Sequence, residues 1–288
     1  MARKDKVFLD AVCRPAIWLQ RCDHADSHSK LGGLPELPPT IPWPRQGKVK
    51  TPLHFLAQID LASLPATPLN PGGPTLPSRG LLYFFGDVEE EMLWEDEFER
   101  GTAYDCTRVI FSESGGTRVT PPEDIPQIGH SWEESGGGRS VGDHVYPESP
   151  LTAHQIDSFV GLTRPRRTQW EPEANERIVA SIERETGHAV PIVDGKTSGA
   201  DLPKPPFIVD WGSEKELRIL RHQMLGAPLN VNMNADGMEG VGEVLLLQLE
   251  PDYSLHKCFI NGGTVQFWIN VADLAAKRFE RAYATYRH

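Results

Sequence analysis

Phe55-Leu56-Ala57-Gln58-Ile59-Asp60 and, towards the other end of the chain, Leu245-Leu246-Leu247-Gln248-Leu249-Glu250 read as one strand written twice. Each is an apolar run interrupted by a glutamine and closed by an acid. The match extends outward from both. Upstream stand Leu31-Gly32-Gly33 and Leu225-Gly226-Ala227. Downstream stand Gly80-Leu81-Leu82-Tyr83-Phe84-Phe85 and Gly263-Thr264-Val265-Gln266-Phe267-Trp268. Three pieces in one order, at similar spacing, predict two copies of one unit and so a pair of half-sheets rather than a solenoid. The expected fold class is mainly β (α+β): a duplicated β roll of two pseudo-symmetric strand-rich halves with a few peripheral helices. One domain is expected over 1–288, with halves at about 8–111 and 205–288 and a variable middle segment at 112–204.

The flanking elements follow from composition and punctuation. LLYFF and VLLLQL lack clean alternation, so both their faces should be covered. Val12 to Leu19 and Thr107 to Phe111 are further strands, and Pro15 places the first at an edge or a bulge. A helix is expected over Asn175 to Thr186, with Ile178 and Ile182 on one face and Gly187 ending it. Ser213 and Glu216 suggest a capping box opening a second, with Leu217, Leu220 and Met224 at helical spacing before Gly226. Asn270 caps a third over Val271 to Arg278, before a terminal strand through Tyr283 and Tyr286. Stretches 112–143 and 195–206 read as loops.

Several classes of function are set aside by bulk properties. A net charge of −11, with Arg164, Arg166 and Arg167 the one tight basic cluster, argues against nucleic-acid binding. The longest strongly apolar run, Val244 to Leu247, is too short for a bilayer, and MARKDKVFLDAV lacks the apolar core of a signal peptide. Cys13, Cys22, Cys106 and Cys258 form no Cys-x-x-Cys pair, so reduced thiols and a cytoplasmic location are expected.

Motifs with chemistry are scarce. Cys22, Asp23, His24, Asp26 and His28 are ligand types, yet without helical periodicity they read as a solvated loop, and no metal or cofactor is expected. Glycines at 136–138 and 142, and at 237, 240 and 242, lack both the Gly-Lys-Ser/Thr ending of a P-loop and the Rossmann pattern. There is no G-x-S-x-G elbow, and Cys13 in an apolar strand should be inert. The acidic stretch holding Glu89, Glu90, Glu91, Glu95, Asp96 and Glu97 is a surface that a basic partner would meet quickly. Gln58 and Gln248 must find hydrogen-bond partners if buried, and tying a neighbouring turn to the sheet is the simplest job for them. The alternative is a pocket at the junction of the halves, lined by Gln58, Gln248 and His222 and walled by Trp43 or Trp268.

LGGLPELPPTIPWP, HFLAQIDLASLP and GLLYFFGDVEEE, with LWEDEFERGTAYDCTRVIF, HQMLGAP, VLLLQLEPD and GGTVQFWINVADLAAKRFERAYATY, resemble the YwqG-like family, bacterial proteins of unassigned function. The resemblance weakens between about Ser112 and Lys204, and departs from the family's pattern at Leu229-Asn230-Val231-Asn232 and at Phe259-Ile260-Asn261-Gly262-Gly263. It implies a mainly β, internally duplicated roll, and a loose association with toxin–immunity gene neighbourhoods. The function expected is a cytosolic non-enzymatic binding protein, immunity-type or regulatory, with a basic protein partner. A small-molecule-binding protein or hydrolase using the junction pocket is the alternative.

Overall fold

In the computed structural model the described residues are 10, 13–47, 49–66, 75–87, 106–128, 144–159, 171–190, 208–211, 216–219, 222–228, 242–252 and 264–287. They form twelve strands: β1 Cys13–Arg21, β2 Lys30–Leu31, β3 His54–Asp60, β4 Leu81–Gly86, β5 Thr107–Ser112, β6 Ser149–Phe159, β7 Ile208–Trp211, β8 Glu216–Ile219, β9 His222–Leu225, β10 Glu243–Leu249, β11 Thr264–Asn270 and β12 Tyr283–Arg287. Helices α1 (Glu171–Thr186) and α2 (Val271–Ala275), with 3-10 turns at Leu61–Ser63 and Phe279–Arg281, complete the described elements. The protein is mainly β.

Ten strands make one antiparallel sheet in the order β12-β11-β10-β9-β1-β6-β2-β3-β4-β5, and β7 pairs with β8 separately. The edge strands β5 and β12 come alongside each other, so the sheet nearly closes into a barrel. Phe111 of β5 lies 5.2 Å from the Phe279 ring beside β12, and Lys277 sits over Phe111.

The segments matched in sequence fall at mirrored positions on either side of the β1–β6 pair: β2 against β9, β3 against β10, β4 against β11. The pairings agree in detail. β3 meets β4 with a register shift between Phe55 and Ala57, and β10 meets β11 with one between Leu245 and Leu247. The additional residue is a leucine both times, Leu56 and Leu246, and both are buried. A bulge bends and twists its strand, which helps a wide sheet curl towards closure.

Alternation sorts the side chains. Ile17, Leu19, Ala57, Ile59, Phe84, Met224, Leu247, Leu249 and Phe267 belong to one large inner cluster, where the Phe84 and Phe267 rings meet edge-on at 5.1 Å. The outward faces form separate clusters. Trp18, Ile156 and Phe159 pack under Ala174, Ile178 and Ile182 of α1. Phe55, Leu81, Tyr83 and Phe85 pack under Leu37 and Leu53.

The structure corrects several local expectations. Of the residues expected as a helix through Leu217, Leu220 and Met224, 216–219 are β8, paired with β7, and 222–225 are β9, while Leu220 lies outside the described residues. Leu225 to His222 pair with Ala16 to Leu19, and the slot between β1 and β10 selects an extended chain for β9. Pro15 lies in a central strand without a register shift. Pairing to β9 stops at Ala16, so one flank of the proline needs no donor. β6, eleven residues of mixed polarity, was not foreseen. α1 ends as expected at Gly187, whose left-handed backbone donates to Glu183. α2 is capped by Asn270 but stops early, before a left-handed Lys277.

Candidate functional site

The outward face of the first half-sheet carries an extended strap. Prolines at 35, 38, 39, 42 and 44 keep it extended and remove donors, leaving few amides to satisfy. A row of side chains from β2, β3 and β4 receives it. Lys30 Nζ donates to Leu34 O at 2.7 Å, Glu36 N donates to Gln58 Oε1 at 2.9 Å, and Tyr83 OH donates to Glu36 O at 2.7 Å. Gln58 Nε2 also donates to His28 O at 2.9 Å. Gln58 is wholly buried and clamps the strap and the chain before β2 onto the sheet. Burial, reinforced by the charge of Glu36, raises the Tyr83 phenol above its usual value, so its hydroxyl stays a donor. Behind the strap, Lys30 and Arg118 both hold Glu148. Burial opposes the Glu148 charge, but these two cations outweigh it and lower its pKa.

Fixing Glu36 in this way builds one wall of an open cleft of about 380 Å³. Its lining is His28, Glu36, Asp60, Gly80, Leu81, Glu113, Gly115 and Gly116. Asp60 ends β3 and caps the 3-10 turn by accepting from Ala62 N at 3.0 Å. Glu113 follows β5, and Gly116 N donates to Glu36 O at 2.8 Å. Glycine is required at 116, since a Cβ there would run into Leu37 O. His28 Nδ1 lies 2.7 Å from Glu36 Oε2, with the imidazole 63% exposed and Glu36 only 19%. Three acidic residues thus line one opening, the Glu36 carboxylate paired with His28, and a rigid sheet and glycine backbone stand behind them. Such a lining suits an ammonium or guanidinium group.

On the mirrored face of the second half-sheet the row reads Gln223, Gln248 and Gln266, in register across β9, β10 and β11. Gln223 Nε2 donates to Ala227 O at 2.8 Å, and Gln266 Nε2 to Gln248 Oε1 at 3.0 Å. All three are buried.

The expected site residues are therefore not brought together. Four strands separate β3 from β10 in the sheet, and Gln58 and Gln248 each point away from the inner cluster, so they do not line a shared junction pocket. Trp43 rides on the strap, donates to Leu53 O at 2.9 Å and packs edge-on against Phe85. It borders a crevice with His54 and Tyr146 that is too narrow to admit water. Trp268 donates to Thr285 Oγ1 at 3.1 Å. His222 is wholly buried inside, at the opposite face from Gln223. Glu89, Glu90, Glu91, Glu95, Asp96 and Glu97 lie outside the described residues.

Among the described residues no three His, Cys, Asp or Glu side chains gather as a metal site, and His28 turns to Glu36 instead. The Cys13 thiol is pushed up to about 11, chiefly by burial and then by Asp157. No described helix is long and apolar enough to cross a membrane. Sequence reasoning missed Glu36, Asp60 and Glu113 as a group. The available signal was Glu36 standing alone among prolines, an acid with no evident role in a segment selected for stiffness.

A nearly closed antiparallel sheet with a proline strap across one outer face defines a mainly β domain with an acidic cleft at the strap's edge. The chain belongs to the DUF1963 family, a domain of unknown function, whose profile matches residues 29–287. No protein of curated function matches it.

Proposed function

We propose that the protein is a non-catalytic binding protein whose cleft takes a lysine or arginine side chain from a protein partner. The cleft carries this reading: Glu36, Asp60 and Glu113 line an opening of about 380 Å³, and Glu36 is held by three separate hydrogen bonds to its backbone. A preorganised carboxylate loses little freedom on binding, which favours affinity over mere encounter. The net charge of −11 adds long-range attraction for a basic partner. The resemblance to the YwqG-like family supports an immunity-type or regulatory role in a bacterial cytoplasm. The same reading takes the two half-sheets as diverged copies, supported by their matched leucine bulges.

A fluorescein-labelled hexa-arginine peptide, followed by anisotropy at low and moderate salt, tests the site. The combined variant Glu36→Gln, Asp60→Asn, Glu113→Gln should weaken binding at least tenfold. Neutralising Glu183 and Glu185 on α1 should change it less than twofold. Equal losses in both variants, or unchanged affinity in the first, would reject the cleft as the binding site.

A further inference from the structure

The join between β9 and β10 rests on a single register pair, Gln223 with Gln248. Side chains add further links. His222, the first residue of β9, is wholly buried, and its Nδ1 accepts from Glu250 N at 3.2 Å, just past the end of β10. A backbone amide can only donate, so Nδ1 is the unprotonated nitrogen and the imidazole is neutral. Beside it, Arg21 of β1 pairs at 3.0 Å with Asp252, which is fully buried and follows β10. Arg21 and Asp252 are the charged groups that act on the imidazole among the described residues. Burial disfavours the imidazolium most, Asp252 favours it, and Arg21 opposes it.

The mirrored join makes the same link without a titratable group. Lys30 pairs with Gln58 as Gln223 pairs with Gln248, so Ser29 stands where His222 does and Asp60 where Glu250 does. Asp60 N donates to Ser29 Oγ at 2.9 Å. One staple therefore uses a hydroxyl, which accepts at any pH. The other uses an imidazole, which accepts only while neutral.

We propose that His222 is an acid-sensitive latch on the β9–β10 seam: protonation removes the acceptor of the Glu250 amide and sets a second cation beside Arg21, opening this seam while the β2–β3 seam stays shut. The sign follows from the neutral, buried native imidazole. An unfolded histidine titrates near ~6.5 and the native one lower, so protons bind the open state more readily. The latch holds fully above about that pH and weakens as pH falls through it.

Amide hydrogen exchange of the full chain at pH 7.5 and 5.0, corrected for intrinsic rates, provides the test. β9 and β10 amides should exchange at least tenfold faster at the lower pH relative to β3 amides. His222→Ser, which transplants the mirrored hydroxyl, and His222→Gln should each abolish that difference. Equal acid acceleration in both seams, or acceleration that persists in the variants, overturns the proposal. If neither variant folds, nitrogen-15 shifts of the wild-type imidazole decide the matter. The native imidazole must be neutral at pH 7.5 with its proton on Nε2 and Nδ1 free to accept, and a native His222 that is charged or carries its proton on Nδ1 at that pH overturns the proposal as well.

Discussion

The strap-bearing half-sheet and its mirror image solve one geometrical problem with different chemistry. Both place a narrow join, two register pairs wide at β2–β3 and one at β9–β10, next to a bulged central strand, and both set a polar row on the outward face. On the strap side the row, itself buried, spends its hydrogen bonds on backbone, Leu34 O, Glu36 N and Glu36 O, which sets a mostly buried acidic side chain at the edge of a cleft. On the other side the amides bond partly to one another, and the whole row is buried. The first half sets an acidic residue at the edge of an open cleft. The second holds a buried neutral imidazole at its β9–β10 join. The two walls of one barrel thus differ in what they leave open and in what they bury.

The largest test of this division lies where the walls meet. Phe84 of β4 and Phe267 of β11 occupy mirrored positions and touch inside the barrel. Phe84→Ala or Phe267→Ala should each cost about 3–5 kcal/mol by urea denaturation. The double variant should show a coupling of ~0.5–1.5 kcal/mol, the usual value for an aromatic pair. Strict additivity would mean the half-sheets fold as independent units and would undo the idea of a shared core.

A middle-sized effect separates the two turns. Strand register, which shifts the sequence match of Leu31-Gly32-Gly33 with Leu225-Gly226-Ala227 by one residue, makes Gly33 and Gly226 the mirrored pair, with φ of 68° and 69°. A Cβ at 226 would meet Ser158 Oγ and lie 2.5 Å from Ala16 Cβ, both on the central strands. At 33 it would meet Glu148, whose carboxylate end can shift at the cost of its bonds to Lys30 and Arg118 but whose Cβ, at 2.8 Å, moves only with the backbone. Both alanines carry the left-handed penalty of about 1–2 kcal/mol. Gly226→Ala should add about 1–3 kcal/mol of overpacking against two strands, and Gly33→Ala a smaller share of it against one loop side chain. The melting temperatures should rank accordingly, and the reverse order would place the tighter turn on the strap side.

The central strands of the two half-sheets were legible because FLAQID and LLLQLE carry their burial in their composition. The leucine bulges were not, since a bulge is a relation between strands and Leu56 looks like any apolar neighbour. β9 misled for a related reason. Leu217, Leu220 and Met224 have helical spacing, but four residues beside β1 take whatever conformation the open ladder offers, and tertiary pairing outweighs so weak a local preference. β6 hid behind Thr152, His154, Gln155 and Asp157, polar residues that a central strand tolerates where α1 shields it only in part. At the site, the job of Gln58 in holding a turn was readable from a lone amide among apolar neighbours. Glu36 was not, because its position is set by Gln58 and Tyr83, residues far from it in the chain.

The smallest effect probes how the site is held. Tyr83→Phe removes the bond to Glu36 O, but Gly116 N still donates to that carbonyl, so no buried acceptor is stranded. The stability cost should sit near the low end of a normal hydrogen bond, about 0.5–1 kcal/mol. Its consequence for binding should be larger in proportion. Loosening the Glu36 backbone adds freedom that a ligand must then remove, and affinity for the hexa-arginine peptide should fall about threefold although every carboxylate remains. Loss of binding without loss of charge would show that the row positions the cleft rather than merely covering the sheet. Unchanged affinity would mean that Gln58 and Gly116 suffice to hold Glu36, and that the strap half owes its site to fewer contacts than the comparison assigns it.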